Sequence, residues 1–266
     1  MPHHKLSFKN SVINYYVYGS GSKVLFCFHG YAEDGTSFSF LENHLGETYT
    51  LYAIDFPFHG KTEWNEQEPL AAKDFPVILD LINPEQNTSF SVLAYSMGGR
   101  IAMHLLQTIA QKIEKVILIA PDGLRENFWY KLSVQTTIGN KLFKKTMQQP
   151  RLFFLFLNGA GKTKLLNKSI VKFVHYYLDD ENERLLLYKR WTVMRGFKPN
   201  LAAIKQTCAE KNIQLHLLFG SFDRIILSKR ANIFKKEKNI QIQIVEAGHQ
   251  LLKQKYACYI VPLLNN

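Results

Sequence analysis

A serine at position 96 stands where an apolar strand pattern gives way to a helical one. Ser89–Leu93 reads as a short buried strand, and beyond it Ile101, Leu105, Ile109 and Ile113 recur at helical spacing with Leu106 and Ala110 beside them. The connecting run, Leu93-Ala94-Tyr95-Ser96-Met97-Gly98-Gly99-Arg100, carries small residues two before and two after the serine. A strand-to-helix turn that tight needs them, because larger side chains would meet the adjoining backbone. The turn pushes the hydroxyl outward and aims the unpaired N–H groups of the helix start at whatever the hydroxyl attacks. These are the features of a nucleophile elbow.

A serine hydroxyl is a poor nucleophile at neutral pH, so it needs a base and the base needs an orienting acid. Both follow in order. The strand Ile213–Phe219 breaks at Gly220, and Asp223 lies three residues beyond; the alternating run Ile240–Val245 reads as a half-exposed edge strand and ends in Glu246-Ala247-Gly248-His249. His249 would take the proton from Ser96, and Asp223 would fix its tautomer and stabilise its cation. Asp122, in Ala120-Pro121-Asp122-Gly123, is a rival for the acid because it too follows a strand. Upstream, the apolar strand Lys23–Phe28 runs into His29-Gly30-Tyr31, whose turn would offer the backbone N–H of Tyr31, alongside that of Met97, as an oxyanion hole.

With these elements the chain resembles the alpha/beta-hydrolase fold family, in its cap-bearing serine hydrolase branch. Asp55-Phe56-Pro57-Phe58-His59-Gly60-Lys61-Thr62 adds to the likeness, being similar to the Asp-x-Pro-Gly-His-Gly-x-Ser turn of those proteins and departing from it at Phe58, where Gly is common. The resemblance implies an α/β fold with a mostly parallel eight-stranded sheet flanked by helices. It also implies a core of residues 1–121 and 199–266, with a helical cap inserted at 122–198.

The strand and helix patterns agree. A hairpin at 5–8 and 12–18 precedes strands at about 23–28, 50–55, 89–94, 115–120, 213–219 and 240–245, which alternate with helical patterns as βαβ units do. No strand pattern interrupts Asp122 to Lys198. With 266 residues and 46% hydrophobic content, one domain with an insertion is expected. Cys27, Cys208 and Cys258 are too few and too scattered for a disulfide framework or a metal site. The N-terminal residues show no signal-peptide core, and the longest apolar run, Leu152–Leu157, is too short to span a bilayer. The expectation is a soluble cytoplasmic protein, with no metal, no organic cofactor and no stable membrane insertion. The oligomeric state is left open.

Charge is concentrated in the insertion. From 125 to 200 there are fifteen Lys and Arg against five Asp and Glu, which is +10 of the formal +11 of the chain. A solvated helical face accounts for this, with the Arg151–Leu157 run lining the cleft or packed on the core. Steering of an anionic small-molecule substrate or contact with an acidic membrane surface are the other readings. No recognition motif accompanies the charge, so nucleic-acid binding is not expected. Gly159-Ala160-Gly161-Lys162-Thr163 imitates the end of a phosphate-binding loop, but its first Gly would fall on Phe156 and no βαβ unit surrounds it. His29 and His59 are expected to serve their own turns, and His216 to pack within its strand. Arg100, Tyr95, Trp129, Trp191 and Arg195 are the candidates for substrate contact.

The chemistry expected first is two-step hydrolysis of a carboxylic ester or thioester through an acyl-enzyme. Carbon–carbon bond hydrolases are an alternative, although many resemble one another in a Trp after the triad His, where Gln250 stands here. The elbow is also similar to that of the cofactor-free lyase making the SHCHC intermediate of menaquinone synthesis. That resemblance implies a carboxylate-binding role for Arg100. A non-catalytic ligand-binding protein of the same fold completes the set.

Overall fold

The computed structural model describes residues 3–83, 89–125, 128–163, 175, 178–235 and 237–265. They fall into two units, Met1–Arg125 with Gly196–Asn266, and Glu126–Arg195.

The first unit is built on eight strands: β1 (His3–Phe8), β2 (Ser11–Tyr18), β3 (Lys23–Phe28), β4 (Tyr49–Ile54), β5 (Phe90–Tyr95), β6 (Ile113–Ile119), β7 (Gln214–Gly220) and β8 (Ile240–Val245). Their order across the sheet is β1-β2-β4-β3-β5-β6-β7-β8. The β1–β2 and β2–β4 pairs are antiparallel and the remaining pairs parallel. Apolar runs become the central strands because both faces are covered. Every residue of β5 is buried, and Phe26, Cys27 and Phe28 of β3 lie beside it without solvent contact. Parallel strands share one carboxyl edge, so the segments after β3, β4, β5, β6, β7 and β8 converge there.

Helices flank the sheet. The short α1 (Glu42–Leu45) precedes β4; α2 (Phe75–Ile82) buries Phe75, Ile78, Leu79 and Ile82, the i, i+3, i+4, i+7 stripe of a half-buried helix. The elbow helix α3 (Gly98–Thr108) ends sooner than the periodicity predicts. Ile109 leaves the helical region at φ −134°, and Ile113 opens β6 instead of extending the helix. Their spacing fits either element, and the packing of β6 against β5 takes Ile113.

In the second unit lie α4 (Phe128–Tyr130), continued by one wide turn at Lys131–Gln135, then α5 (Thr137–Gln148), α6 (Arg151–Lys162) and α7 (Glu181–Val193). Among its described residues there is no strand. The Thr136 side chain caps α5 and Asp180 caps α7, each accepting a backbone N–H three residues on. The two helices pack through Phe143, whose ring meets Tyr188 at 5.5 Å and Trp191 at 5.9 Å. Buried Asn140 accepts from the Tyr188 hydroxyl at 2.9 Å and donates to Thr192 Oγ1 at 3.0 Å. Gly159–Lys162 belong to the last turn of α6, with no strand before them, so this stretch has no phosphate-loop context.

The chain returns to the first unit in α8 (Leu201–Glu210), capped by Asn200, and closes with α9 (Ala257–Asn265). Residues 122–125 and 196–198, expected in the insertion, belong to the first unit. Asp122 is tied to α3 by Arg100, and Phe197 is fully buried with its ring 5.9 Å from Phe75 and 5.4 Å from His104. No helix among the described residues is long and apolar enough to cross a membrane.

Candidate active site

Ser96 follows the last residue of β5 at φ +48°, a left-handed conformation that costs a non-glycine residue about 1–2 kcal/mol. The turn is over-determined by its neighbours. Ser96 N–H donates to the Ile119 carbonyl at 2.9 Å, and the Ser96 carbonyl accepts from Gly99 at 3.0 Å and Asp122 at 2.8 Å. Gly98 N–H donates to the His29 carbonyl at 3.1 Å, which brings the helix start against the end of β3. A Cβ on Gly98 would collide with the Phe28 carbonyl oxygen. Gly98→Ala is therefore expected to lower stability by about 3 kcal/mol, read as a drop in the urea midpoint at unchanged slope. An unchanged midpoint would mean that the elbow tolerates a wider turn.

The Ser96 Oγ lies 3.0 Å from His249 Nε2. On the far side of the ring, Nδ1 lies 2.7 Å from Asp223 Oδ2. The carboxylate can only accept there, which sets the Nδ1–H tautomer and leaves Nε2 to accept the Ser96 proton. Asp223 is buried, and its other oxygen accepts from the N–H groups of Ile225 at 2.7 Å and Ile226 at 2.9 Å. Both oxygens are thus occupied, and the carboxylate is aimed without freedom to turn. Residues 153 and 26 apart in sequence meet because β5, β7 and β8 end on the same edge.

Two further loops frame this edge. After β3, His29 Nδ1 lies 2.7 Å from the Gly30 carbonyl, while its Nε2 accepts from the Phe56 N–H at 3.1 Å, joining the turns after β3 and β4. Glu33, which no sequence motif marks, closes the first turn. Its N–H donates to the Gly30 carbonyl at 3.3 Å and its carboxylate accepts the Gly30 N–H at 3.4 Å. Burial raises the Glu33 pKa. The only signal for it was the three-residue spacing after Gly30. Met97 stands at the start of α3, where N–H groups have no intrahelical acceptor, and Tyr31 follows Gly30 in the turn held by Glu33.

After β4, buried Asp55 accepts from Gly35 N–H at 2.7 Å, Lys61 N–H at 2.8 Å and Asn14 Nδ2 at 2.8 Å. Burial raises its pKa against those three hydrogen bonds. Gly60 (φ +51°) leaves room for this carboxylate, onto which a Cβ would fall. Phe58 adopts φ +64°, the left-handed region that glycine enters without steric cost. His59 Nδ1 lies 2.9 Å from the Pro57 carbonyl within the same turn.

The remaining candidates are placed differently. The Tyr95 hydroxyl donates to the His249 carbonyl at 3.1 Å, and its ring packs over Gly30 and lies 5.5 Å from the His249 ring. Burial raises its pKa, so the hydroxyl stays protonated as a strut. Arg100 is buried, and its Nε donates to Asp122 Oδ2 at 2.6 Å. Trp129, Trp191 and Arg195 belong to the second unit, with Trp191 set between Tyr130 and Phe143, and Trp129 exposed against Phe128. His216 is buried on β7 and its pKa is lowered by burial and by Lys115. A cavity of about 260 Å³ bordered by Lys23, Tyr49, Ser91, Lys115 and Gln214 opens at the amino ends of the strands, the edge opposite Ser96.

Among the described residues no group of three or more His, Cys, Asp or Glu is arranged to hold a metal ion. The three cysteines are free, with Cys27 and Cys208 buried and Cys258 exposed.

A family model described as alpha/beta hydrolase fold matches residues 23–164. The chain is 28% identical over 199 residues to a serine hydrolase-like protein of Danio rerio, a match covering 70% of this chain and 58% of that protein. It is 26% identical over 105 residues to the dihydrolipoyllysine-residue acetyltransferase component of the acetoin cleaving system of Cupriavidus necator, covering 40% of this chain and 28% of that one. It thus spans less than two thirds of the length of these curated relatives. Among solved structures, a thermophilic esterase from Thermogutta terrifontis with malate bound is similar in fold, with a TM-score of 0.68 at 11% identity, covering 100% of this chain and 97% of that one.

Proposed function

The chain belongs to the alpha/beta hydrolase fold family, and we propose that it is a serine hydrolase cleaving an ester-type bond of a small molecule through an acyl-enzyme. The observation that carries this reading is the continuous series Asp223 Oδ2, His249 Nδ1, His249 Nε2 and Ser96 Oγ, with separations of 2.7 and 3.0 Å. These lengths are within hydrogen-bond reach of the proton that must move.

In the first step the Ser96 Oγ attacks the acyl carbon as His249 Nε2 takes its proton, and Asp223 stabilises the imidazolium. The backbone N–H groups of Met97 and Tyr31 receive the developing oxyanion. His249 then protonates the leaving alkoxide or thiolate as the carbon–heteroatom bond breaks. In the second step His249 takes a proton from water, the hydroxide attacks the acyl carbon, and the proton returns to Ser96 as the acid departs. The lyase alternative rested on Arg100 as a carboxylate ligand, and the commitment of that guanidinium to Asp122 makes the ester reading the stronger.

Intact-mass analysis after treatment with a fluorophosphonate tests the nucleophile, and p-nitrophenyl esters of increasing acyl length test the bond cleaved. The expected result is one adduct, on Ser96, with turnover of at least one ester series member. Folded protein that stays unlabelled would overturn the reading.

A further inference from the structure

The second unit presents an apolar surface that its own packing does not use. In α6, Leu157 and Ala160 face inward and are buried, and the Phe154 ring stacks on His175 at 4.8 Å. The opposite face is equally apolar. Leu152, Leu155 and Phe156, at i, i+3 and i+4, are 81%, 69% and 75% exposed, and Gly159, next on that face, is exposed as well. An ordinary surface helix is polar on its solvent side, so a helix apolar on both sides has an unmet partner. The preceding helix α5 repeats the pattern, with Ile138 and Leu142 exposed four residues apart and Lys141 and Lys145 beside them.

Charge identifies the partner. From 127 to 178 the chain holds nine Lys and Arg and no Asp or Glu. Lys141, Lys144, Lys145, Arg151 and Lys162 are all exposed around the apolar residues. A second copy of this chain would bring the same positive surface against itself, and like charges in contact are repulsive. A lipid headgroup layer offers negative charge and, just beneath it, an apolar phase that takes Leu and Phe side chains a few ångströms deep. Lysine stems can lie along the helix while their ammonium groups stay among the phosphates.

We propose that the exposed face of α6, with the basic surface of α5 before it, docks on an anionic phospholipid bilayer as an interfacial helix. At 12 residues α6 is too short to span one, so the attachment is peripheral and reversible. The proposal does not depend on the hydrolytic reading.

Co-sedimentation of the full chain with vesicles tests it, comparing phosphatidylcholine alone with phosphatidylcholine containing about one third phosphatidylglycerol. Partitioning is expected to be at least about tenfold stronger on the anionic vesicles and to weaken as salt shortens the screening length. The triple variant Leu152→Gln, Leu155→Gln, Phe156→Gln is expected to lose at least about tenfold, while Lys141→Gln and Lys145→Gln each cost roughly fivefold. All five side chains are exposed, so an unchanged urea midpoint checks that folding is intact. Equal recovery with and without anionic vesicles at low salt would overturn the proposal, as would vesicle binding that the triple variant leaves unchanged. A dimer in sedimentation velocity that the triple variant dissolves, with no vesicle binding, would assign the face to a second copy instead. Because Ser96→Ala should bind vesicles as well as the parent chain, failure here is separable from failure of the hydrolase reading.

Discussion

Ser96→Ala is expected to reduce kcat/KM toward any ester the protein turns over by about a millionfold, equivalent to ~8 kcal/mol of transition-state stabilisation. Removing the nucleophile leaves His249 and Asp223 without a covalent step to assist, and only oxyanion donors and binding remain. The same variant should give no fluorophosphonate adduct. Its stability should change little, because alanine meets the same left-handed backbone penalty at φ +48°. Ser96→Gly separates the two properties. It is equally inactive but should be more stable by about 1 kcal/mol, since glycine adopts the conformation without the Cβ clash. Turnover measured beside thermal or urea unfolding of the three forms checks both statements. Residual ester hydrolysis in Ser96→Ala within tenfold of the parent would move the chemistry to another residue. Strain kept at a position where glycine would relieve it has a functional reading only if the hydroxyl is needed there.

The sheet was legible because buried parallel strands are continuous apolar runs, and each chemically informative residue sits directly after one of them. β3, β4, β5, β7 and β8 lie within a residue of their expected positions, and the segments carrying His29, Asp55, Ser96, Asp223 and His249 end on one edge. What periodicity could not supply was the partner of each polar group. Arg100 and Asp122 are 22 residues apart, and their ion pair exists only because the start of α3 and the segment after β6 meet at the Ser96 turn. Glu33 carries no motif, and Tyr95, inside the elbow run and a candidate for substrate contact, holds the His249 carbonyl instead; both roles depend on partners far along the chain or in a turn. In the second unit, the apolar run Arg151–Leu157 fits core packing, cleft lining or a membrane contact equally well, because periodicity does not tell a packed apolar face from an exposed one. Three of its residues, Leu152, Leu155 and Phe156, face solvent.

Asp223→Asn is expected to lower kcat by about 10⁴-fold while leaving the fold intact. The geometry explains why so small a change should be so costly. Asp223 Oδ1 accepts two backbone N–H groups, from Ile225 and Ile226, so the amide of the variant must place its oxygen there and turn its NH₂ toward His249. A donor facing Nδ1 forces the other tautomer, in which Nε2 carries the hydrogen and can no longer accept the Ser96 proton. Asp122→Asn, at the rival acid, should behave in the opposite way. It weakens the partner of a buried guanidinium, so stability falls by about 2 kcal/mol, moderated by the partial exposure of Asp122, while kcat stays within a few-fold. Measuring turnover and urea unfolding for both variants gives a crossed pattern, one losing rate and the other losing stability. If Asp122→Asn lost the rate and Asp223→Asn kept it, the acid would be Asp122. The 2.7 Å contact between Asp223 and His249 would then be a structural ion pair, without the tautomer control that the mechanism assigns to it.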